Sequence, residues 1–486
     1  MRKQKILAIV AACLVATACP SVVSAGEVEQ QEATTEVYGA PENVILSGDC
    51  SATDEDHVQW SVVRKDDGKY KLVISGTGKT NSIEGISINY WLASTYGNDA
   101  YVSDVEVKEG VTGIEYGLAT STTESVSLPN GLISIGDGAF SLCKKLSQIN
   151  IPDSVTDIGF GAFSGSGVTS VTIPSGITEI KKETFKKCDN LKEVNIPNSV
   201  TSICENAFCD CRSLKELNIS NSLTSIGWGA FSGCSSLKEI NLPNSVTTIE
   251  SDAFSGSSLE KINIPNSVTV IAAGVFSQCS SLKEISIPNS VRTIADGAFY
   301  GCGSLQEISI PDSVKEIDAR AFNDCDGLKE IRIPESVKTI TCKSNYEAIQ
   351  FWDCKSLKEI YLPHSLEKLE LYYRVAYGSP LTDIYYNGTK KEWDEIEKVH
   401  KRQYVDDRDF EFEKDDWSFL GVEDVTVHFL DSEITVPAKT PAATSTPTPK
   451  PTVTATPTPT AAPGKEKAVT MYRLYNALNK EHFYTA

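Results

Sequence analysis

Ser281-Leu282-Lys283-Glu284-Ile285-Ser286-Ile287-Pro288-Asn289-Ser290-Val291 decides the fold, because the phrase recurs along the chain. It runs on through Ile294 to Ala298-Phe299 and Cys302, then restarts at Ser304-Leu305. Its proline returns at Pro129, Pro152, Pro174, Pro197, Pro243, Pro265, Pro288, Pro311, Pro334 and Pro363, with Ser220 where one more is due. Most steps are 23 residues, those from Pro152 and from Pro243 are 22, and the last is longer. A fixed period in this range marks a solenoid, whose units bury their apolar faces against their neighbours.

Within one unit, Val194 and Ile196 alternate with Glu193 and Asn195, which predicts a short strand with one face inward. Pro197 lacks an N–H and ends that strand, and Asn198-Ser199 supplies a turn. Val200 and Ile203 return to the core, and Ala207-Phe208 closes the coil. Stacked coils place like on like. About a dozen strands at roughly 4.8 Å spacing predict a parallel sheet about 50–60 Å long. A phenylalanine ladder from Phe140 to Phe322 is expected to be a main source of stability, each buried ring contributing roughly 2–3 kcal/mol.

The chain has 486 residues and a net charge of −20. That charge argues against nucleic acid and against an electrostatic hold on anionic lipid, both of which require clustered Lys and Arg. Arg2-Lys3-Gln4-Lys5, the apolar run Ile6 to Ala18 and the small residues Val23-Ser24-Ala25 read as a Sec signal peptide cut after Ala25. Ala16-Thr17-Ala18-Cys19 is the alternative, a lipoprotein site that Pro20 makes poor. No membrane span is expected, and the mature protein is read as a monomer that is secreted or on the cell surface.

Fourteen cysteines in an exported protein would ordinarily suggest disulfides. Here Cys143, Cys188, Cys211, Cys234, Cys279, Cys302, Cys325 and Cys354 all stand three residues after the phenylalanine position or its equivalent. They are repeat positions, read as small buried residues, with pairing between adjacent coils left open. The two short coils, at Phe163-Ser164-Gly165-Ser166 and Phe254-Ser255-Gly256-Ser257, are read as losing the cysteine together with one residue. Cys204, Cys209 and Cys342 are off this register.

The expected organisation is a signal peptide (1–25), a polar lead (26–43), an N-terminal β cap module (44–104), the solenoid (105–363), a C-terminal cap (364–436), a Pro/Thr-rich linker (437–467) and the start of an incomplete domain (468–486). The cap module rests on the alternation Val58-Gln59-Trp60-Ser61-Val62, a turn at Gly68 and Tyr70-Lys71-Leu72-Val73-Ile74, a hairpin that would cover the open end. Val105 to Val111 is read as a first, degenerate coil. Strand-like patches at Leu381 to Tyr386 and Val425 to Phe429, with a short helix at Trp393 and Ile396, make the second cap. The tract from Pro437 to Pro463 cannot bury a core and reads as a semi-rigid spacer.

The phrase Leu-x-x-Ile-x-Ile-Pro-x-Ser-Val-x-x-Ile-x-x-x-Ala-Phe-x-x-Cys resembles the BspA-like leucine-rich repeats of bacterial surface and secreted proteins, over roughly residues 105–360. Gly48-Asp49-Cys50 through Gly76-Thr77-Gly78 resembles the segment that often precedes such arrays, and Asp383 to Thr389 with Glu392-Trp393 the tail that often closes them. The end, Met471-Tyr472-Arg473-Leu474-Tyr475-Asn476 with Glu481-His482-Phe483-Tyr484-Thr485, looks like the opening of a longer domain of exported Gram-positive proteins. The resemblance implies a leucine-rich-repeat solenoid, mainly β with loops and short helical turns, that adheres to molecules on host or microbial surfaces. Cell-wall or carbohydrate recognition through the incomplete terminal module is the alternative. A second alternative is the non-catalytic part of a larger secreted enzyme.

Catalysis needs a convergent acid, base or nucleophile. His57, His364, His400, His428 and His482 lie in different segments and match no Ser/His/Asp or metal spacing, so no enzyme, cofactor or metal is expected. The informative surface is the pair of outward strand positions. One row reads Gln148, Ser170, Glu193, Glu216, Glu239, Lys261, Glu284, Glu307, Glu330, Glu359, and its neighbour Asn150, Thr172, Asn195, Asn218, Asn241, Asn263, Ser286, Ser309, Arg332, Tyr361. The bland explanation is that Asn, Ser and Thr tolerate a crowded sheet and bond along it. The functional one is a binding strip for a protein or glycan ligand, with Arg332 and Tyr361 marking its contact end. On this second view the site is Glu193, Asn195, Glu216, Asn218, Glu239, Asn241, Glu284, Ser286, Glu307, Ser309, Glu330, Arg332, Glu359 and Tyr361.

Overall fold

The computed structural model describes residues 43–81, 85–318, 320–341, 351, 353–372, 376, 378–401 and 425–436. The expected signal peptide and linker, the terminal segment 468–486 and Cys342 lie outside them.

Coils make up to three rows of bonds to their neighbours, where the sequence predicts one strand. In the coil that begins at Leu191, Glu193–Asn195 pairs in parallel with Ser170–Thr172 on one side and Glu216–Asn218 on the other. The Val200 N–H closes the turn on the Pro197 carbonyl at 3.1 Å. A second strand follows at once, Ser202–Ile203, parallel to Glu179–Ile180 and Ser225–Ile226. Two residues are too short for an alternation to register, so this ladder is invisible to periodicity. The third row lies at the Ala-Phe turn, where the Phe208 N–H reaches the Ala230 carbonyl at 2.8 Å and the Asp210 N–H reaches Ser232 at 2.7 Å.

That third row depends on left-handed backbone. The residue before Ala-Phe has φ between 55 and 61° in every coil from Gly138 to Arg320, whether it is glycine, Glu183, Asn206 or Asp252. A second such residue precedes the cysteine, as at Leu142, Lys187, Asp210 and Gln278. This conformation turns N–H groups out of the coil toward the next carbonyls, and it explains the glycine, Asn and Asp enrichment at these positions.

Phe140 to Phe322 form an unbroken stack with ring centroids 5.3–6.0 Å apart, nearly parallel through the middle. The cysteines stand beside it. Every described cysteine is a free thiol. From Cys188 onward the repeat cysteines donate to the phenylalanine carbonyl of the preceding coil at 3.0–3.2 Å. Packing alone is therefore not their whole role. The short coils keep the position and change the residue: buried Ser166 and Ser257 occupy it and meet Cys188 and Cys279 at 3.4 and 3.3 Å. The residue lost lies after the serine.

Burial pushes the thiols of Cys143 and Cys354 up to about 12. Burial, then Asp210, raises half-buried Cys209 to about 11. Since the thiolate is the reactive form, native protein treated with Ellman's reagent should release thionitrobenzoate slowly, Cys204 and Cys209 reacting before the fully buried column, and completely only in denaturant. Immediate reaction of the buried column would contradict this packing.

At the N-terminal end β1 (Val44–Asp49), β2 (His57–Arg64) and β3 (Tyr70–Lys79) form an antiparallel meander. The first part of β3 pairs in parallel with Val102–Val107, which leads into the first ladder, and its end pairs with Val111–Ile114, which leads into the second. One strand thus starts both. Between β3 and Val102–Val107 lies a helix the sequence did not announce, α1 (Gly85–Tyr96), which buries Ile88 and Leu92. Asn89 of α1 accepts from the Val102 N–H at 2.7 Å and donates to Thr120 and Thr122.

Parallel stacking also continues past residue 363, where a change to a cap was expected. Glu359–Leu362 pairs with Asp383–Tyr386, which pairs with Val425–His428; the antiparallel strand Glu433–Val436 ends the sheet. Thr339–Thr341, Lys368–Tyr372 and Glu397–Lys401 continue the second ladder. The anticipated short helix is α2 (Lys390–Glu395), held by a Thr389–Glu392 capping box with Trp393 buried.

Candidate functional site

The outward strip falls into three hydrogen-bonded groups, separated where neighbouring coils leave the first ladder unpaired. In the first, Glu193 faces Glu216 and Asn195 faces Asn218 in register. Asn218 donates to the Asn195 side chain at 3.0 Å, and Asn195 to Glu193 at 3.2 Å. These amides satisfy each other along the ladder, which is the bland explanation at work.

The middle group contains Glu239, Lys261 and Glu284, aligned by the pairing of strands Glu239–Ile240, Lys261–Asn263 and Glu284–Ser286. Its charges form a checkerboard: Lys261 pairs with Glu239 at 3.2 Å, and Glu260 holds Lys238 and Lys283 at 3.2 and 2.8 Å. Glu260 is kept below the usual carboxylate range by Lys283 and then Lys238. The coil that reverses the Lys-Glu order to Glu260-Lys261 is what makes every neighbour opposite. Asn241 follows the two-residue strand here; the Asn263 amide instead bonds both main-chain groups of Leu242, at 3.1 and 2.9 Å. Ser309 joins Ser286 through a single bridge, so Glu307 and Ser309 sit between groups.

The third group is different in kind. In-register strands align Glu330, Glu359 and Asp383 in one row, and Arg332, Tyr361, Tyr385 and His428 in the other. The second row is a continuous stack. The Arg332 guanidinium lies 3.5 Å from the Tyr361 ring centroid, Tyr361 stacks on Tyr385 at 4.6 Å, and Tyr385 on His428 at 4.5 Å. Each member of the stack except Tyr385 is tied to a carboxylate. Arg332 Nε donates to Glu330 at 3.1 Å, Tyr361 donates its hydroxyl to Glu359 at 2.7 Å, and His428 meets Asp383 through Nε2 at 2.8 Å and Glu433 through Nδ1 at 3.0 Å. These contacts fix rotamers before any partner arrives, so little side-chain entropy remains to be lost on binding.

Sequence reasoning singled out Arg332 and Tyr361 of this stack and passed over Tyr385 and His428. A signal existed for Tyr385, which follows Asp383 by the same two residues that separate Glu359 from Tyr361. His428 is 43 residues further on, beyond any repeat spacing.

His428 is drawn above its ordinary 6.5 by hydrogen bonding to Asp383 and also by Glu433, against the opposing effect of burial. Asp383 is lowered mainly by its bond from His428. The raised histidine stabilises the last strands fully below about pH 6.5, and that contribution fades as pH rises through its folded value. The depressed Asp383 contributes above its ordinary range and loses its share as pH falls. The clamp should therefore be strongest between those limits. In an NMR titration His428 should show a midpoint above 6.5 that falls in Asp383→Asn; a wild-type midpoint at or below 6.5 would contradict the geometry. Both ring nitrogens of His428 lie on carboxylates. Among the described residues no cluster of His, Cys, Asp and Glu is arranged to hold a metal ion, and no helix is long and apolar enough to cross a membrane.

A family model described as the BspA type leucine rich repeat region matches residues 114–227, 201–329 and 271–395. Among solved structures the fold is similar to a leucine-rich repeat protein from Bacteroides ovatus, at 23% identity and a TM-score of 0.51, covering 75% of this chain and 99% of that one. A leucine rich cell surface protein from Faecalibacterium prausnitzii is 22% identical with a TM-score of 0.41, covering 72% of this chain and 98% of that one. No functionally curated protein matches the sequence.

Proposed function

The chain belongs to the BspA-type leucine-rich-repeat family, and from that premise we propose that it is an exported, non-catalytic scaffold that binds a protein partner at the C-terminal end of its outward strip. The observation that carries this is the Arg332–Tyr361–Tyr385–His428 stack. Elsewhere the strip's polar groups largely answer one another, as amide ladders or as ion pairs. Here aromatic rings and a guanidinium, the usual anchors of protein interfaces, stand on rigid strands beside a row of carboxylates. The basic, apolar and small-residue segments at the N-terminus support export.

The test is binding of the full chain to an array of purified matrix and cell-surface proteins. Arg332→Ala combined with Tyr385→Ala should weaken capture at least about ten-fold, the scale of one interface anchor. Glu193→Gln with Asn195→Ala, in the self-satisfied group, should leave it unchanged. Equal losses from both pairs, or none from the first, would overturn this placement of the site.

A further inference from the structure

A second surface runs along the edge of the solenoid, away from the strip. Two residues after the core isoleucine of the second ladder, successive coils place Tyr116, Asp137, Phe160, Lys182, Glu205 and Trp228. The alignment is structural. Ile114, Ile135 and Ile158 pair in register, and the carbonyls of Phe160, Lys182, Glu205 and Trp228 accept from Gly138, Gly161, Glu183 and Asn206 of the preceding coils.

Tyr116, Phe160 and Trp228 are 58%, 44% and 45% exposed. Among the described residues, they are the exposed aromatic side chains of the coils; Tyr90 and Tyr96 belong to α1. A single exposed ring needs no explanation. Three at one repeat position do, in an array whose other large rings are core. Tyr116 is also set on low ground. A Cβ at Gly138 would stand 2.8 Å from Cδ2 of Tyr116, so that ring lies on bare backbone. Phe160 sits between Gly159 and Gly161, and Trp228 between Gly227 and Gly229. Trp228 is aimed by the next coil, its indole N–H donating to Asp252 at 3.2 Å and its main-chain N–H to Glu250 at 2.9 Å.

Spacing and chemistry select the partner. Tyr116 and Phe160 are two coils apart and Phe160 and Trp228 three, about 10 and 14 Å at one strand spacing per coil. A protein interface would bury a contiguous apolar centre, but Asp137 and the Lys182–Glu205 ion pair at 2.7 Å interrupt this row. Rings at intervals, with hydrogen-bonding groups between them, suit sugar faces and hydroxyls. An extended, equatorially linked pyranose chain advances by about one coil rise per residue. The net charge of −20 disfavours polyanionic chains.

We propose that this edge binds a neutral, extended polysaccharide laid along the solenoid axis, with Tyr116, Phe160 and Trp228 stacking on sugars two and three residues apart. The surface is separate from the strip and uses none of its residues.

Affinity electrophoresis of the full chain through gels containing hydroxyethylcellulose, a soluble β-1,3-glucan, mannan or galactomannan tests this. At least one polymer should retard the protein. Trp228→Ala should weaken retardation about ten-fold, a loss typical of one stacking ring, while Trp228→Tyr retains most of it and Arg332→Ala changes nothing. Unchanged melting temperatures would show that the variants fold. The proposal is overturned if no neutral polymer retards the wild type, or if Tyr116→Ala/Phe160→Ala/Trp228→Ala is retarded like wild type. Because Arg332 is untouched in the ring variants, failure here leaves the strip reading standing, and the converse holds.

Discussion

Phe208→Ala should destabilise the array by about 4 kcal/mol, within the usual range for deleting a fully buried ring. Phe208 has no exposed surface and lies between Phe185 and Phe231, 5.4 Å from each and within 6° of parallel. Its main chain is held at both polar groups by the following coil, its N–H on Ala230 and its carbonyl under the Cys234 thiol. The backbone therefore cannot collapse into the vacancy, and neither neighbour can reach it without leaving its own coil. Two stacked contacts go with the ring. Since coils contact only their neighbours, the defect should also uncouple the two halves. Urea denaturation followed by tryptophan fluorescence and far-UV circular dichroism would read both effects, as an earlier onset and a broadened or split transition. A loss under about 1 kcal/mol would mean that the array repacks, against the rigidity argued here.

Gly76→Ala should be nearly as damaging, by about 3 kcal/mol or more, although it removes nothing. Gly76 has φ 121°, which is close to glycine-only territory, and an added Cβ would stand 1.8 Å from the His57 carbonyl oxygen. Neither neighbour can yield cheaply, because that carbonyl is backbone in the β2–β3 ladder. Gly110 crowds the same point from the other side, its own Cβ position lying 2.4 Å from the Gly76 carbonyl. Here β3 passes from the first ladder to the second, so the strain falls where both begin. Hydrogen exchange should show lost protection across β2, β3 and Val102–Val107, with the central coils unaffected. Wild-type exchange rates in that region would refute the account.

Much of this was readable from the residues alone, and the exceptions have physical causes. The period, the inward Val and Ile of each first strand, the phenylalanine stack and the buried cysteines all follow from strict repetition. The second ladder escaped because Ser202–Ile203 and its counterparts are two residues long. Helix α1 escaped because Gly85 to Tyr96 carries apolar residues around most of its circumference, leaving no clear stripe. The serines at 166 and 257 were hidden by the one-residue deletion that follows them. At the candidate site, Arg332 and Tyr361 were visible because they break a monotonous row. His428 was not, because the chain between Tyr386 and Val425 departs from the period while the strands keep their register, whereas Tyr385 carried a readable spacing that was passed over.

The rows of bonds that join one coil to the next all point along the axis of the array. A force applied to its two ends would accordingly act on those rows in series, opening one joint at a time instead of shearing many together. Each coil that let go would release roughly 75 Å of extended chain, while the coils behind it kept their ring stack. An array built this way yields in short, repeatable lengths, and residues on coils still closed hold their geometry while the tether lengthens.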